Sequence, residues 1–281
     1  MKYKIIADAS CDIPQEYVEK YGIILAPIEV RFGEEVYPEG LDNKTFYSKI
    51  DETGLIPKTS MPNQYLFEEL MGPYANKAGY HMIAITISSE MTATIHQVEG
   101  AVQALKMQNV TYRQSGVTTW AQGAIIIELC KFIEKDDKLE HVIAKLDELI
   151  RKVRLYAVIG DLKYLRASGR LSATGQVMGS MLNIKPIISL NGGRVTNEAK
   201  VLGEAKANVF MINKTKERDE NYPVYFGNSN CRTVIENFVN KYSPAIGVEA
   251  ESQIICDIGC VVGSHVGPNC YGVVYFAKDE N

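Results

Sequence analysis

Short runs rich in β-branched residues alternate with helical apolar patterns along most of this 281-residue sequence. Strands predicted at residues 3–7, 81–87 and 110–113 are each followed by a stretch with helical spacing, the last of them predicted as a helix at residues 119–133. A further extended run is predicted at residues 23–32. Such alternation is typical of β-α units, which place helices against a largely parallel sheet. The sequence therefore predicts an α/β fold, and this pattern limits the architecture more than any single motif does.

The pattern changes near Leu155, where a hairpin signal joins the alternation. Asn191-Gly192-Gly193 predicts a tight turn between two strands, and a helix is predicted at residues 172–182 just before it. The chain is long enough for two modest domains. We therefore predict two α/β domains, residues 1–155 with a mainly parallel sheet flanked by helices and residues 156–281 with a mixed sheet and helices.

Composition and charge narrow the class of protein. Hydrophobic residues make up 46% of the chain and the formal net charge is −4, which is ordinary for soluble proteins and gives no basis for nucleic-acid binding. The apolar runs are too short to span a bilayer, and the N-terminal segment reaches Asp8 too early for a signal peptide. The sequence predicts a cytoplasmic protein without a nucleic-acid partner, and transient membrane contact is not evident from it.

Signatures of common cofactor and metal chemistries do not occur in the sequence. It contains no Gly-x-Ser-x-Gly, Walker A, Gly-x-Gly-x-x-Gly or His-Glu-x-x-His pattern. The six cysteines form no Cys-x-x-Cys pair and no spacing suited to zinc. We therefore predict reduced, mostly buried thiols, no metal and no cofactor.

Polar segments stand where predicted strands end. Thr59 and Ser60 precede a predicted helix, and residues 88–94 join a predicted strand to another helix. Hydroxyls and free N–H groups at such junctions suit a carboxylate or phosphate, whereas helix capping is the simpler interpretation. For residues 8–12, after the first strand, we favour capping of the next helix by Asp12. Two hydroxyl-rich junctions in one domain nevertheless favour a polar pocket for an anion.

Two ionisable side chains complete the candidate site. Arg170 follows Gly169 in a predicted loop, from which its guanidinium could reach a carboxylate or phosphate. His265 is enclosed by Gly263 and Gly267-Pro268, which predicts a tight loop holding an imidazole whose charge can change near neutral pH. A solvated surface arginine and a purely structural turn are the alternative interpretations.

In their order and spacing, six segments resemble the DegV family of bacterial fatty-acid-binding proteins. They are residues 8–14, 59–62, 88–94, 161–171, 184–187 and 263–268. The resemblance implies two α/β domains with a fatty acid between them, its carboxylate held by loop hydroxyls near the arginine and histidine motifs. Carried over to this sequence, the ligand-binding residues are Thr59, Ser60, Thr92, Thr94, Arg170 and His265.

This sequence departs from the family pattern at a few motif positions. Thr92 and Ala93 stand where the family usually has serine and glycine, Ser168 replaces the first glycine of Gly-Gly-Arg, and Asn269 replaces another glycine. These departures bear on the choice of ligand more than on the fold.

The resemblance implies a carrier more than a complete enzyme. Family members of this type present the fatty acid to a separate ATP-dependent fatty acid kinase, which forms an acyl phosphate, and Arg170 and His265 would position or neutralise the carboxylate or the phosphate. We therefore favour a non-catalytic lipid-binding subunit. Two alternatives stay open: a serine hydrolase or acyltransferase acting on a small acyl substrate, with Ser89 or Ser264 as nucleophile and His265 as base, and a sensor whose ligand controls partner binding.

Overall fold

The computed structural model describes residues 1–171, 183–247, 249 and 253–279. The helix predicted at residues 172–182 lies outside the described residues. Within these described segments, no helix is long and apolar enough to cross a membrane.

The first part of the chain forms a four-stranded parallel sheet. Its strands are β1 (Lys2–Asp8), β2 (Ile24–Ala26), β6 (Tyr80–Thr86) and β7 (Val110–Gln114), in the order β2-β1-β6-β7. The helices of this part are α1 (Gln15–Tyr21), α2 (Asn43–Thr53), α3 (Gln64–Met71), α4 (Thr94–Ala104), α5 (Thr119–Ile133) and α6 (Leu139–Lys152). Because β2 and β6 pair with opposite sides of β1, the winding direction reverses there. Open parallel sheets bind ligands beyond the carboxyl ends of their strands at such a point.

A small antiparallel sheet lies beside the parallel one and was not predicted. It contains β3 (Glu29–Phe32), β4 (Glu35–Tyr37) and β5 (Lys58–Ser60), in the order β4-β3-β5. The single extended run expected at residues 23–32 is wrong, since it divides into β2 and β3 of two different sheets. Pro27 stands between them and has no N–H to donate to a ladder, which favours a break there.

From Val153 the chain builds a six-stranded mixed sheet. Its strands are β8 (Val153–Val158), β9 (Ile184–Asn191), β10 (Arg194–Leu202), β11 (Tyr225–Ser229), β12 (Ile254–Asp257) and β13 (Cys270–Phe276), in the order β10-β9-β8-β13-β11-β12. Among the described strands of this sheet, only β11 and β12 pair in parallel. The helices described here are α7 (Lys163–Ala167), α8 (Glu204–Thr215), α9 (Arg232–Tyr242) and α10 (Cys260–Val266). The predicted fold class is thus confirmed, whereas the domain boundary at 155/156 falls inside β8 and stays a prediction.

The mixed sheet separates two apolar cores. Along β8, Leu155 and Ala157 belong to a cluster that also holds buried residues of β1, β6 and α5, whereas Tyr156 and Val158 face a second cluster with α8 and α9. Neighbouring strand residues point to opposite faces, so one strand serves both cores. Helix α5 is buried around most of its circumference because it is packed between the parallel and the mixed sheet. The first cluster therefore joins the two halves of the molecule.

Candidate functional site

A cavity of about 430 Å³ lies between the two halves, against the face of the mixed sheet that carries the first apolar cluster. Ligand pockets usually measure about 300–1,000 Å³, so this volume suits a small molecule. Ser10 follows β1 and Ile87 follows β6, and both line the cavity. The cavity therefore adjoins the carboxyl ends of β1 and β6, where the winding of the parallel sheet reverses.

The wall formed by the mixed sheet is apolar. It consists of alternate residues of β8 and its continuation and of β9, namely Leu155, Ala157, Ile159, Ile188 and Leu190. The period of two places these side chains on one face. Helix α10 adds Val261, Val262 and Val266, of which Val262 and Val266 are four residues apart and are therefore neighbours on one face of the helix. Such walls suit a hydrocarbon chain.

Polar side chains gather in another part of the lining, which we call the polar cluster. It consists of Thr59, Thr92, Thr94, Arg170 and His265. The Thr59 hydroxyl and His265 Nε2 are 2.9 Å apart and share a hydrogen bond, and the hydroxyls of Thr92 and Thr94 are 3.2 Å apart. The structure thus brings five of the six site residues named from the sequence to one cavity.

Ser60 is the residue that the structure places elsewhere. It follows Thr59 in β5, and adjacent strand residues face opposite sides. Its exposed hydroxyl donates to Glu29 Oε1 at 3.3 Å, outside the described cavity lining. Only one hydroxyl of the predicted pair therefore points at the cavity.

His265 lies in a helix, so the tight loop predicted around it is wrong. Helix α10 carries the imidazole in its last turn and ends at Val266, with Gly267 as its C-cap. Gly263 is part of the same helix, where a Cβ atom would come within 2.8 Å of both Phe46 and Tyr47. Glycine is needed there for close packing against α2 instead of for a turn.

The His265 imidazole is neutral at neutral pH. Burial, together with the nearby Arg170 guanidinium, lowers the pKa of His265 to about 4. Its Nδ1 atom is buried without a hydrogen-bond partner among the described residues, while Nε2 is bonded to Thr59. The expectation that this histidine changes charge near pH 7 is therefore wrong for the protein alone.

An NMR titration of the His265 ring is expected to show protonation near pH 4. An unfolded chain, with a histidine pKa of about 6.5, binds the proton more readily between about pH 4 and 6.5. The contribution of His265 to stability is therefore present above this window and is lost as the pH falls through it. A carboxylate bound beside the ring would raise its pKa, since it stabilises the cation. His265→Gln assigns the signal, and a midpoint above about pH 6 without ligand would contradict the role of burial.

Arg170 lies at the rim of the cavity, since its side chain is exposed and also part of the lining. Its guanidinium donates to the carbonyl of Ser168 and, at 3.4 Å, to the carbonyl of Met91 in the segment between β6 and α4. Nearby, Arg194 of the β9–β10 hairpin pairs with Glu90 at 2.7 Å. Two arginines of the second half of the molecule thus contact the segment between β6 and α4, which carries Thr92.

Asp8 ties together the ends of β1 and β6. The carboxylate is fully buried and accepts hydrogen bonds from the backbone N–H groups of Ser10 at 3.2 Å and Ile87 at 2.8 Å. Burial raises its pKa, while these hydrogen bonds act in the opposite direction. Asp8 therefore fixes two segments that line the cavity without lining it itself.

Asp12 joins the two halves of the molecule. It accepts hydrogen bonds from the Thr119 hydroxyl and, at 2.9 Å, from the backbone N–H of Gly259. Burial raises the pKa of Asp12 to about 7. The favoured prediction that Asp12 caps the next helix is wrong, because Pro14 occupies the N-cap of α1 and no side chain caps it.

The described residues do not provide the geometry that a serine hydrolase would need. Ser89 is exposed and outside the described lining of the cavity. Ser264 is buried, and its hydroxyl donates to the carbonyl of Cys260 at 2.7 Å within α10. Neither serine is bonded to His265, whose partner is Thr59.

Sequence reasoning missed one part of the lining, formed by Thr118, Thr119 and Trp120 where α5 begins. This segment is also a strand-to-helix junction with adjacent hydroxyls, so the criterion applied to Thr59 and Thr92 would have found it. Trp120 is the only tryptophan in the sequence and is 1% exposed. Its hydrophobic character alone gives no signal that separates a cavity wall from an ordinary core.

The fold and the site define a class, namely two-part α/β proteins that enclose a mostly apolar cavity between a parallel and a mixed sheet. The family model described as "Uncharacterised protein, DegV family" matches residues 2–278. The chain therefore belongs to the DegV family, as its motifs predicted.

Relatives and solved structures cover nearly the whole chain. A DegV domain-containing protein of Clostridium acetobutylicum is 29% identical over 284 residues, which span 99% of this chain and 99% of the relative. A DegV family protein from Thermus thermophilus, described for its fatty acid binding, has a TM-score of 0.88 at 24% identity and covers 99% of this chain and 100% of its own. A stearic acid-binding protein from Eubacterium ventriosum has a TM-score of 0.88 at 22% identity and covers 98% of each chain. These structures confirm the predicted fold.

Proposed function

We propose that this protein binds a long-chain fatty acid in the cavity, with the acyl chain against the mixed sheet and α10 and the carboxylate at the polar cluster. The asymmetry of the lining carries this proposal, since Thr59, Arg170 and His265 lie in one cluster while aliphatic side chains form the walls. The fatty-acid-binding relatives from Thermus thermophilus and Eubacterium ventriosum, which share the fold, support it.

The acyl chain supplies most of the binding free energy in this proposal. Each buried methylene contributes about 0.8 kcal/mol, so about fourteen methylenes approach 11 kcal/mol. Association itself costs about 4–15 kcal/mol. Burial of the methylenes supplies most of the favourable free energy that offsets this cost. The hydroxyls of Thr59, Thr92 and Thr94 and the Arg170 guanidinium then serve mainly to orient the carboxylate.

We further propose that the protein acts in the cytoplasm as a carrier, which presents the bound carboxylate to a separate ATP-dependent fatty acid kinase. The position of Arg170 supports this step, because an exposed guanidinium at the rim can meet both a carboxylate and an incoming phosphoryl group. The resemblance of the sequence motifs to family members of this type points the same way.

Native mass spectrometry of the purified protein, before and after incubation with fatty acids of graded length, tests the binding. We expect one acid per chain and tighter binding with each added methylene until the cavity is filled. The primary alcohols of the same lengths serve as matched ligands without the carboxylate. Failure of every acid to bind would reject the proposed function.

Arg170→Ala and His265→Ala are expected to separate binding from presentation. Fatty-acid affinity should stay within about threefold of the unsubstituted protein, because the methylenes dominate it. Acyl-phosphate formation with an added fatty acid kinase should fall at least about tenfold, since a charge-assisted contact to the incoming phosphoryl group, which is absent when the acid alone is bound, is worth about 1.5–3 kcal/mol. His96→Ala, at an exposed histidine on α4, is the control. Unchanged turnover in both variants would reject the presentation role.

A further inference from the structure

Met61 is an exposed methionine at the edge of the cavity. It lies between β5 and α3 and belongs to the lining, and 43% of its surface is accessible to solvent. Among the methionines that the structure describes, only Met1 is more exposed, whereas Met71, Met82 and Met211 are fully buried. An oxidant in solution therefore reaches Met61 before it reaches the buried methionines.

The Met61 thioether contacts the polar cluster directly. The Thr92 hydroxyl donates to Met61 Sδ at 3.6 Å, and its oxygen lies 3.2 Å from that of Thr94. A hydroxyl carries one proton, so Thr94 donates to Thr92 while Thr92 donates to the sulfur. Because a thioether is a weak acceptor, a carboxylate bound in the polar cluster can take over the Thr92 proton. The chemical state of the sulfur thus bears on a donor that the head group would use.

Oxidation of Met61 would change this balance. Methionine sulfoxide is polar, and its oxygen accepts hydrogen bonds where the thioether does so only weakly. The Thr92 hydroxyl would then keep donating to Met61 instead of to a carboxylate. The sulfoxide oxygen also carries partial negative charge, which repels a carboxylate nearby. Both effects disfavour the charged head group at this place.

We propose that Met61 is an oxidation site through which peroxides act on the polar cluster. A lone pair of Sδ attacks one oxygen of hydrogen peroxide, so that an S–O bond forms and the O–O bond breaks. The sulfur loses two electrons, and the departing hydroxide takes the proton of the transferred oxygen and leaves as water. A methionine sulfoxide reductase reverses the change. This inference rests on the proposed fatty-acid binding and adds its regulation.

Peptide mass spectrometry after graded exposure to hydrogen peroxide tests the first step on the protein without ligand. We expect Met61 to be oxidised at least about tenfold faster than Met82 and Met211, because only Met61 is open to solvent. Oxidation of Met61 at the rate of these buried residues would overturn the inference, whether or not fatty acids bind.

The second step is tested with hexadecanoic acid labelled with ¹³C at the carboxyl carbon. Its NMR signal, followed against pH, gives the titration midpoint of the bound head group. We expect oxidation to raise the proton affinity of the bound carboxyl about tenfold, since a lost donor and an added negative dipole both disfavour the carboxylate. Treatment with the reductase should restore the original midpoint.

Met61→Leu is the matched control, because leucine keeps an apolar side chain at this position but has no sulfur to oxidise. Its bound carboxyl should titrate identically before and after peroxide, although Met1 is oxidised in both proteins. A midpoint that stays unchanged once Met61 is oxidised, or that moves equally in Met61→Leu, would overturn the inference and leave the proposed function intact. If the acid does not bind at all, the proposed function fails and the regulation fails with it.

Discussion

Replacing Ala157 with phenylalanine is expected to lower fatty-acid affinity at least about a hundredfold. Ala157 lies within β8, and its side chain forms part of the cavity wall. A phenyl ring there would occupy the space of about four methylenes, whose burial is worth about 3 kcal/mol. Every 1.4 kcal/mol is about a tenfold change in the dissociation constant. Isothermal titration calorimetry with one long-chain acid measures the loss directly.

The matched control for this change is Ala205→Phe, the same substitution at an exposed position of α8. It should leave affinity unchanged. Circular dichroism should show that Ala157→Phe is still folded, because the added ring fills existing space instead of displacing packed neighbours. A folded Ala157→Phe variant that binds as tightly as the unsubstituted protein would show that the acyl chain lies elsewhere.

Gly227→Ala is expected to reduce the free energy of unfolding by about 1–3 kcal/mol, the usual cost of overpacking. The new Cβ would lie 2.4–2.6 Å from ring carbons of Trp120. The indole is a rigid group that projects from α5 and packs against β11, so it cannot swing aside as the end of a flexible chain could. Denaturant unfolding followed by tryptophan fluorescence reports both the stability and the new surroundings of the ring.

Gly72→Ala provides the comparison for this variant. Gly72 has a φ of −48°, and a Cβ atom there would have no neighbour within 4 Å. Its unfolding curve should coincide with that of the unsubstituted protein. A Gly227→Ala variant that is as stable as the unsubstituted protein would mean that β11 and α5 separate easily. Such a result would contradict the close packing of the Trp120 indole against β11.

The spacing of apolar residues predicted most of the helices and strands, because it reflects which face of each element is buried. Helix α5 begins and ends where it was expected, since a long apolar segment with helical spacing can be buried only as a helix between the sheets. The division of the second extended run into β2 and β3 was not predicted, nor was the pairing of β5 with β3. Strand pairing joins residues far apart in the chain, and a single sequence carries no direct signal of it.

The site residues could be predicted where they are hydroxyl residues at strand-to-helix junctions. They could not be predicted where their conformation depends on contacts between residues far apart in the chain. Thr59, Thr92 and Thr94 were recognised from hydroxyls near strand ends, and they do line the cavity. The helical state of His265 was not, because it follows from the close packing of Gly263 on Phe46. Glycine in a sequence can mean either a turn or close contact, and only the fold distinguishes the two.

Backbone conformation also explains two departures from the family motifs. Asn269 has a φ of 62°, in the left-handed region. Glycine adopts this region most readily, and asparagine tolerates it better than most other residues do. Ser168 has a φ of −86°, which any residue adopts. Both replacements for glycine are therefore compatible with the local chain path, so the loops that carry Arg170 and follow His265 can keep their form.

The cavity lies in the apolar cluster that joins the parallel sheet to the mixed sheet. A molecule that fills it touches both halves at once and becomes a removable part of the protein's core. Binding of this kind raises the free energy of unfolding in proportion to the logarithm of ligand concentration. Small changes in that free energy alter how much of a protein survives cellular quality control. The abundance of this protein in a cell would then rise and fall with the supply of the fatty acid proposed to fill the cavity.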